Sequence, residues 1–180
     1  MRTLALFIAT SVDGYIAQPN DDLSFLKLVE KEGEDYGYAK FIAKIDTIIV
    51  GRKTYDWVLK EVGPNHYDNG TRDVYVITRT KRPKTGKTTF YTGNVAKLIK
   101  QLKSEKGKNI YCDGGAEIIN ELSKNDLIDE MIISIIPILV GNGIRLFQDG
   151  RPQQHLELID TKTFDTELIQ LHYRRKSNKD

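Results

Sequence analysis

The sequence has a single cysteine, Cys112, which excludes an internal disulfide. Set in the apolar stretch Asn109-Ile110-Tyr111-Cys112, it reads as a buried structural thiol rather than a nucleophile. Histidine is nearly as scarce. His66, His155 and His172 are scattered without metal-ligand spacing, and no His/Cys/carboxylate cluster marks a metal site. No apolar run approaches the roughly 18 residues that a membrane span needs. The opening run Leu4-Ala5-Leu6-Phe7-Ile8-Ala9 is too short for a signal peptide and reads at once as a strand, so a cytoplasmic protein with no membrane partner is expected. An excess of one charge is missing too. A formal net charge of +2 argues against a nucleic-acid partner, which favours a concentrated basic face. Repeats, low-complexity stretches and linkers are absent, and 180 residues fit one domain with a sizeable core, expected over residues 1–176 with a disordered tail at 177–180.

What is present is an alternation of short apolar runs and helical patterns. Strands are expected at residues 3–10, 47–51, 73–78, 88–91, 109–112, 130–138, 156–164 and 166–174, and helices at 22–30, 38–44, 54–60, 94–105 and 116–123. Several strands are almost continuously apolar, as strands buried on both faces are. Asn94 is a good N-cap for the helix that follows it. The fold class is therefore α/β: a mostly parallel sheet with helices on both faces and a C-terminal antiparallel hairpin at one edge.

Two glycine turns stand between a strand and a helix. Gly51-Arg52-Lys53-Thr54 follows the apolar run 45–50, so it pairs the unspent N–H groups of a helix start with two cations and a hydroxyl. A capped surface helix with ordinary basic residues is the plain alternative. Asp113-Gly114-Gly115-Ala116-Glu117 repeats the arrangement; its paired glycines allow close approach of a pyrophosphate, or simply make a tight turn. Ligands of open α/β sheets bind outside the carboxyl ends of the strands, where both turns and the loop after the first strand fall. The pair favours a nucleotide site. Gly141-Asn142-Gly143 has no helix after it, and is expected to be a loop turn near a substrate that leads into the edge hairpin.

In order, Ser11-Val12-Asp13-Gly14-Tyr15-Ile16-Ala17, Gly51-Arg52-Lys53-Thr54, Asp113-Gly114-Gly115, Leu127-Ile128-Asp129-Glu130 and Pro137 to Phe147 resemble the dihydrofolate reductase-like superfamily. The closer resemblance is to the reductase domain of bacterial riboflavin biosynthesis, here as a stand-alone unit. That resemblance implies NADPH as cofactor and a small heterocyclic substrate reduced by hydride transfer, as in 5-amino-6-(5-phosphoribosylamino)uracil reduction. A dihydrofolate reductase, or a non-catalytic NADPH-binding protein, is the alternative. By the same resemblance, Ala9 and Ile16 would offer backbone groups to the nicotinamide carboxamide. Gly51, Arg52, Lys53 and Thr54 would hold pyrophosphate and 2′-phosphate, and Thr78 and Arg79 the 2′-phosphate end. Gly114 and Gly115 would lie beneath the pyrophosphate, with Ala116 and Glu117 at the next helix start. Charge alone points the same way, since Arg52, Lys53 and Arg79 favour the extra phosphate of NADPH over NADH.

Asp22, in Asp22-Leu23-Ser24-Phe25, resembles the carboxylate with which folate reductases anchor a pterin and is the catalytic candidate; an ordinary N-cap is the competing role. Asp13 reads as a turn former before Gly14. The charged segment 27–44 is longer than folate reductases carry and would reshape the substrate mouth. Phe25, Tyr36, Tyr38, Trp57 and Tyr67 are candidates to wall a flat ring, or plain core. A homodimer shielding the apolar run 130–138 is a further expectation.

Overall fold

Period-two burial in the apolar runs builds the sheet. In the computed structural model, which describes residues 1–67 and 70–176, β3 (Ile45–Gly51) turns Ile49 to one face and Ile48 and Val50 to the other. Around it the strands run in the order β5 (Thr88–Tyr91), β4 (Asp73–Ile77), β3, β6 (Asn109–Gly114), β1 (Leu4–Ser11), β7 (Glu130–Ile136), β10 (Ile169–Arg175) and β9 (Leu156–Thr163). The first six are mutually parallel; β10 and β9 are antiparallel and close one edge as a hairpin. The expected tail 177–180 lies outside the described residues, as do positions 68 and 69.

The two faces are covered by different helices. On one, α3 (Val95–Ser104) and α4 (Ala116–Lys124) pack Leu98, Ile99, Leu102, Ile119 and Leu122 on Leu4, Leu6, Ile49 and Ile110. Asn94 caps α3 as expected, its Oδ1 accepting from the Lys97 amide at 2.9 Å. On the other, α1 (Tyr38–Ile42) and α2 (Arg52–Glu61) cover Ile48, Val50, Val74, Val76 and Tyr111. Burial pushes the Cys112 thiol up to about 12, which fits its structural role.

Three local expectations are revised. The segment 22–30 is a 3₁₀ turn over Ser24–Val29 rather than an α-helix: Leu26 and Glu30 amides bond three residues back, to Leu23 and Lys27. Just before it, Asn20 and Asp21 take positive φ, so the chain enters through a turn. Gly141-Asn142-Gly143 leads not into the edge hairpin but into β8 (Ile144–Arg145), which pairs with β2 (Tyr15–Ala17) in a small second sheet. These strands of two and three residues are too short to show a period. Finally, β7 has no edge to shield, because β1 and β10 flank it; the edge strands are β5 and β9, and every residue of β9 is exposed.

Leu6, wholly buried on the central strand β1, should be a sensitive core position. Leu6→Ala is expected to lower stability by about 2–5 kcal/mol, read as a shift in urea midpoint at unchanged slope.

Candidate active-site crevice

The parallel strands end on one side, and there the two glycine turns touch. β3 and β6 are neighbours, with Val50 in register with Gly114. A Cβ on Gly51 would lie 3.2 Å from the Gly115 nitrogen and 3.4 Å from the Gly114 oxygen; one on Gly115 would lie 3.0 Å from Thr54 Oγ1. Gly114 also has φ of +102°, which excludes most side chains. Beyond the turns α2 and α4 begin, with Gly51 and Gly115 as N-caps that offer no side-chain oxygen. Their first-turn amides, including those of Arg52, Lys53, Ala116 and Glu117, are left for a ligand anion. The Glu117 carboxylate is exposed and has the same sign as a phosphate, so the residue has only its amide to offer such a ligand.

The cationic flank lies at the β4 exit, since Gly51 is in register with Ile77 and Thr78-Arg79 follow immediately. Thr78 Oγ1 accepts from the Thr80 amide at 3.2 Å, shaping that turn. Arg79 and Lys53 are exposed. Arg52 is half-buried, bonded through Nε to both Asp56 oxygens at 2.7 and 2.6 Å, and its guanidinium lies 5.8 Å from the Phe90 ring centre. Arg82, in the basic run 79–84 that reads as a solvated loop or as a contact for a cofactor phosphate, sits 5.7 Å from the same ring. Two guanidinium groups thus flank one aromatic ring.

Ala9, on β1 opposite Ser134 of β7, borders an adjoining cleft of about 580 Å³. Phe7, Leu26, Val29 and Leu168 make its walls apolar, and Tyr36 and Tyr38 also line it. Of the other aromatic candidates, Phe25 and Tyr67 are core and Trp57 is exposed on α2. Ile16 lies on β2 and packs against the larger core cluster. Asp22 is outside the cleft lining: it is exposed, and its oxygens accept from the Ser24 amide at 2.8 Å and from the Ser24 hydroxyl at 3.1 Å. That is the local turn-capping role.

Two other aspartates carry more structure than their sequence positions suggest. Asp113, immediately before the paired glycines, accepts from Tyr111 at 2.5 Å and from Tyr67. Burial raises its pKa, and the two phenols oppose that rise. Burial and the Asp113 charge push Tyr38 up to about 12. An acid within an otherwise apolar strand was the available signal. Asp13 is a bridge as well as a turn former: it accepts from Ser11 Oγ at 2.6 Å and from the Val140 and Gly141 amides at 3.0 and 2.7 Å. The β1 exit loop is thereby latched to the β7 exit loop, and the Val12 amide adds a bond to the Ile138 carbonyl at 2.9 Å.

Among the described residues no group of three or more His, Cys, Asp or Glu could hold a metal, and no helix is long and apolar enough to cross a membrane. The sheet order, the hairpin edge and the paired glycine turns define a dihydrofolate reductase-like α/β domain. More narrowly, the chain belongs to the RibD C-terminal domain family, whose pattern it matches over residues 2–170. It is 40% identical over 177 residues to the uncharacterized protein YwjB of Bacillus subtilis (strain 168), covering 97% of this chain and 98% of that one. A crystal structure from Shewanella sp. PV-4, provisionally assigned to riboflavin biosynthesis, superposes with a TM-score of 0.85 at 31% identity over 97% and 99% of the two chains. The fold is also that of the Thermotoga maritima diaminohydroxyphosphoribosylaminopyrimidine deaminase/5-amino-6-(5-phosphoribosylamino)uracil reductase, at a TM-score of 0.70 and 14% identity. That match covers 97% of this chain and 57% of the Thermotoga chain.

The Asp13 latch has a direct readout. Asp13→Ala should speed amide exchange at Val140 and Gly141 at least about tenfold while leaving the sheet core protected. The three donors hold the Asp13 carboxyl down to about 2. The latch's contribution to stability is therefore full above the ordinary value of 3.8 and is lost as pH falls through about 2, so the wild-type protection at these amides should persist at pH 4.

Proposed function

We propose that the protein is an NADPH-dependent reductase that transfers a hydride to a pyrimidine- or pterin-like heterocycle, with the aminouracil reduction of riboflavin biosynthesis as the nearest chemistry. The observation that carries this reading is the contact between the Gly51 and Gly114–Gly115 turns, beside two helix starts without side-chain caps. A Cβ on Gly51 or Gly115 would run into the opposing turn, so glycine keeps the two helix starts close enough to share one pyrophosphate. Bound NADPH would supply the hydride from its nicotinamide.

The protein's own contribution is positional. Amides of α2 and α4 would bind the pyrophosphate, and Arg52, Lys53, Thr54, Thr78 and Arg79 the 2′-phosphate end, with Arg82 as an added cation. Backbone groups of Ala9 and Ile16 would orient the nicotinamide, while the apolar walls beyond Ala9 exclude water from the acceptor. Asp22 is exposed, outside the cleft lining and bonded to Ser24, which weighs against the folate-reductase alternative. The homodimer expectation moves to edge strand β9, where Leu156, Leu158 and Ile159 are exposed.

Fluorescence titration tests the cofactor reading. NADPH should bind at least about tenfold more tightly than NADH, a difference of about 1.4 kcal/mol. Arg52→Ala should remove most of that preference and leave NADH affinity within about twofold. Equal loss for both cofactors would sink the 2′-phosphate assignment, and no binding of either would leave the glycine turns structural. Light scattering at micromolar concentration should give twice the chain mass, and a monomer would remove the β9 pairing.

A further inference from the structure

Charge is divided across the crevice. Arg52, Lys53 and Arg79 stand beside the Gly51 turn, whereas Glu30, Glu32, Glu34 and Asp35 line the cleft beyond Ala9. The cation lining that cleft is Lys31, and its Nζ is 2.9 Å from Asp165, a carboxylate outside the lining. Asp35 is kept ionised by the Ala39 and Gly37 amides, each at 2.8 Å, which lower its pKa. Glu34 accepts from the Tyr36 amide at 2.8 Å. The exposed side chains of Glu30 and Glu32 have no protein partner among the described residues.

Deeper in the cleft, the polarity is complementary. Ser134 is 4% exposed and lines the cleft; its oxygen accepts from Gln170 Nε2 at 3.1 Å. Its hydroxyl proton goes to no protein acceptor among the described residues. The cleft therefore has a buried donor, flat aromatic and apolar walls, and carboxylate acceptors at its mouth.

We infer that the acceptor is a neutral or cationic amino-substituted heterocycle that carries no phosphate; this rests on the reductase reading above. A phosphate monoester would bring about −1.5 to −2 of charge to a mouth whose lining cation among the described residues, Lys31, is paired with Asp165. Single exposed charges act weakly, but several of one sign around one cleft add up and act on approach as well as on affinity. Amino groups on a ring meet carboxylates as donors to acceptors, and a ring carbonyl or nitrogen can take the Ser134 proton. The Thermotoga reductase is named for a phosphoribosylamino substrate. The acidic segment between β2 and β3 sets this chain's acceptor apart from that substrate.

The test is calorimetric titration of the full chain saturated with NADP⁺, which has no hydride to give, using 5-amino-6-(ribosylamino)uracil and its 5′-phosphate as a matched pair. The nucleoside should bind at least about tenfold more tightly, with the gap shrinking to about twofold or threefold in about 0.5 M NaCl. Glu30→Gln combined with Glu32→Gln should close the gap similarly at low salt, and both positions are exposed, so folding should be retained. Equal or tighter binding of the phosphate would overturn the inference and leave the reductase reading standing. A gap indifferent to salt and to both substitutions would overturn its electrostatic basis. If neither compound binds while NADPH does, the heterocycle reading of the cleft fails and the inference with it.

Discussion

The crevice depends on a backbone-to-backbone contact. β3 and β6 lie side by side and parallel, and each leaves the sheet through a turn that must start a helix at once. α2 goes to one face of the sheet and α4 to the other, so the exits diverge while their backbones still touch at Gly51 and Gly114–Gly115. This is a switch point, where a crevice opens because neighbouring connections part. A side chain on Gly51 or Gly115 would push the turns apart. Glycine there sets both the spacing of the strands' ends and the chemistry of the gap.

The opposite end of the sheet is built by a different device. Arg2, 8% exposed, donates to Thr47 Oγ1 at 2.6 Å and to the Lys108 carbonyl at 2.6 Å, and pairs with Asp46. Lys103 donates to the Leu127 carbonyl at 2.7 Å and pairs with Asp129, whose other contacts include the Leu4 amide at 2.8 Å. The amino ends of β1, β3 and β6 are thereby tied with charges that are satisfied on all sides, the condition under which burying them is tolerable. The carboxyl ends keep their helix-start amides and several cations unspent. The amino ends of these strands are closed by their polar groups, and the carboxyl ends are left open by theirs.

Much of this was legible in the sequence because it depends on local chemistry. Alternating or continuous apolar runs located all eight strands of the main sheet, and Asn94 announced its helix. Gly51 and the Gly114–Gly115 pair marked the strand exits that meet. Where a period was too short to register, as in β2 and β8, or where positive φ at Asn20 and Asp21 preceded a 3₁₀ turn, the local pattern was insufficient. The register of β3 with β6, which makes the glycine turns touch, is a tertiary fact without a local signature.

Aspartate shows where sequence reading ends. Asp22 and Asp13 are the same residue type in similar polar loops, each two residues from a serine. Asp22 spends its carboxylate on Ser24, whereas Asp13 accepts from Ser11 and then from amides 127 and 128 residues away. Asp113 sits within a strand, and its partners are two phenols, one of them 46 residues distant. A carboxylate accepts whatever donors the fold brings to it, and local pattern reveals only the donors in its own turn. The residue with the family-like motif is thus the locally satisfied one. The aspartates woven into the crevice also accept from distant loops, Tyr67 for Asp113 and Val140 and Gly141 for Asp13, and only the tertiary fold brings those donors near.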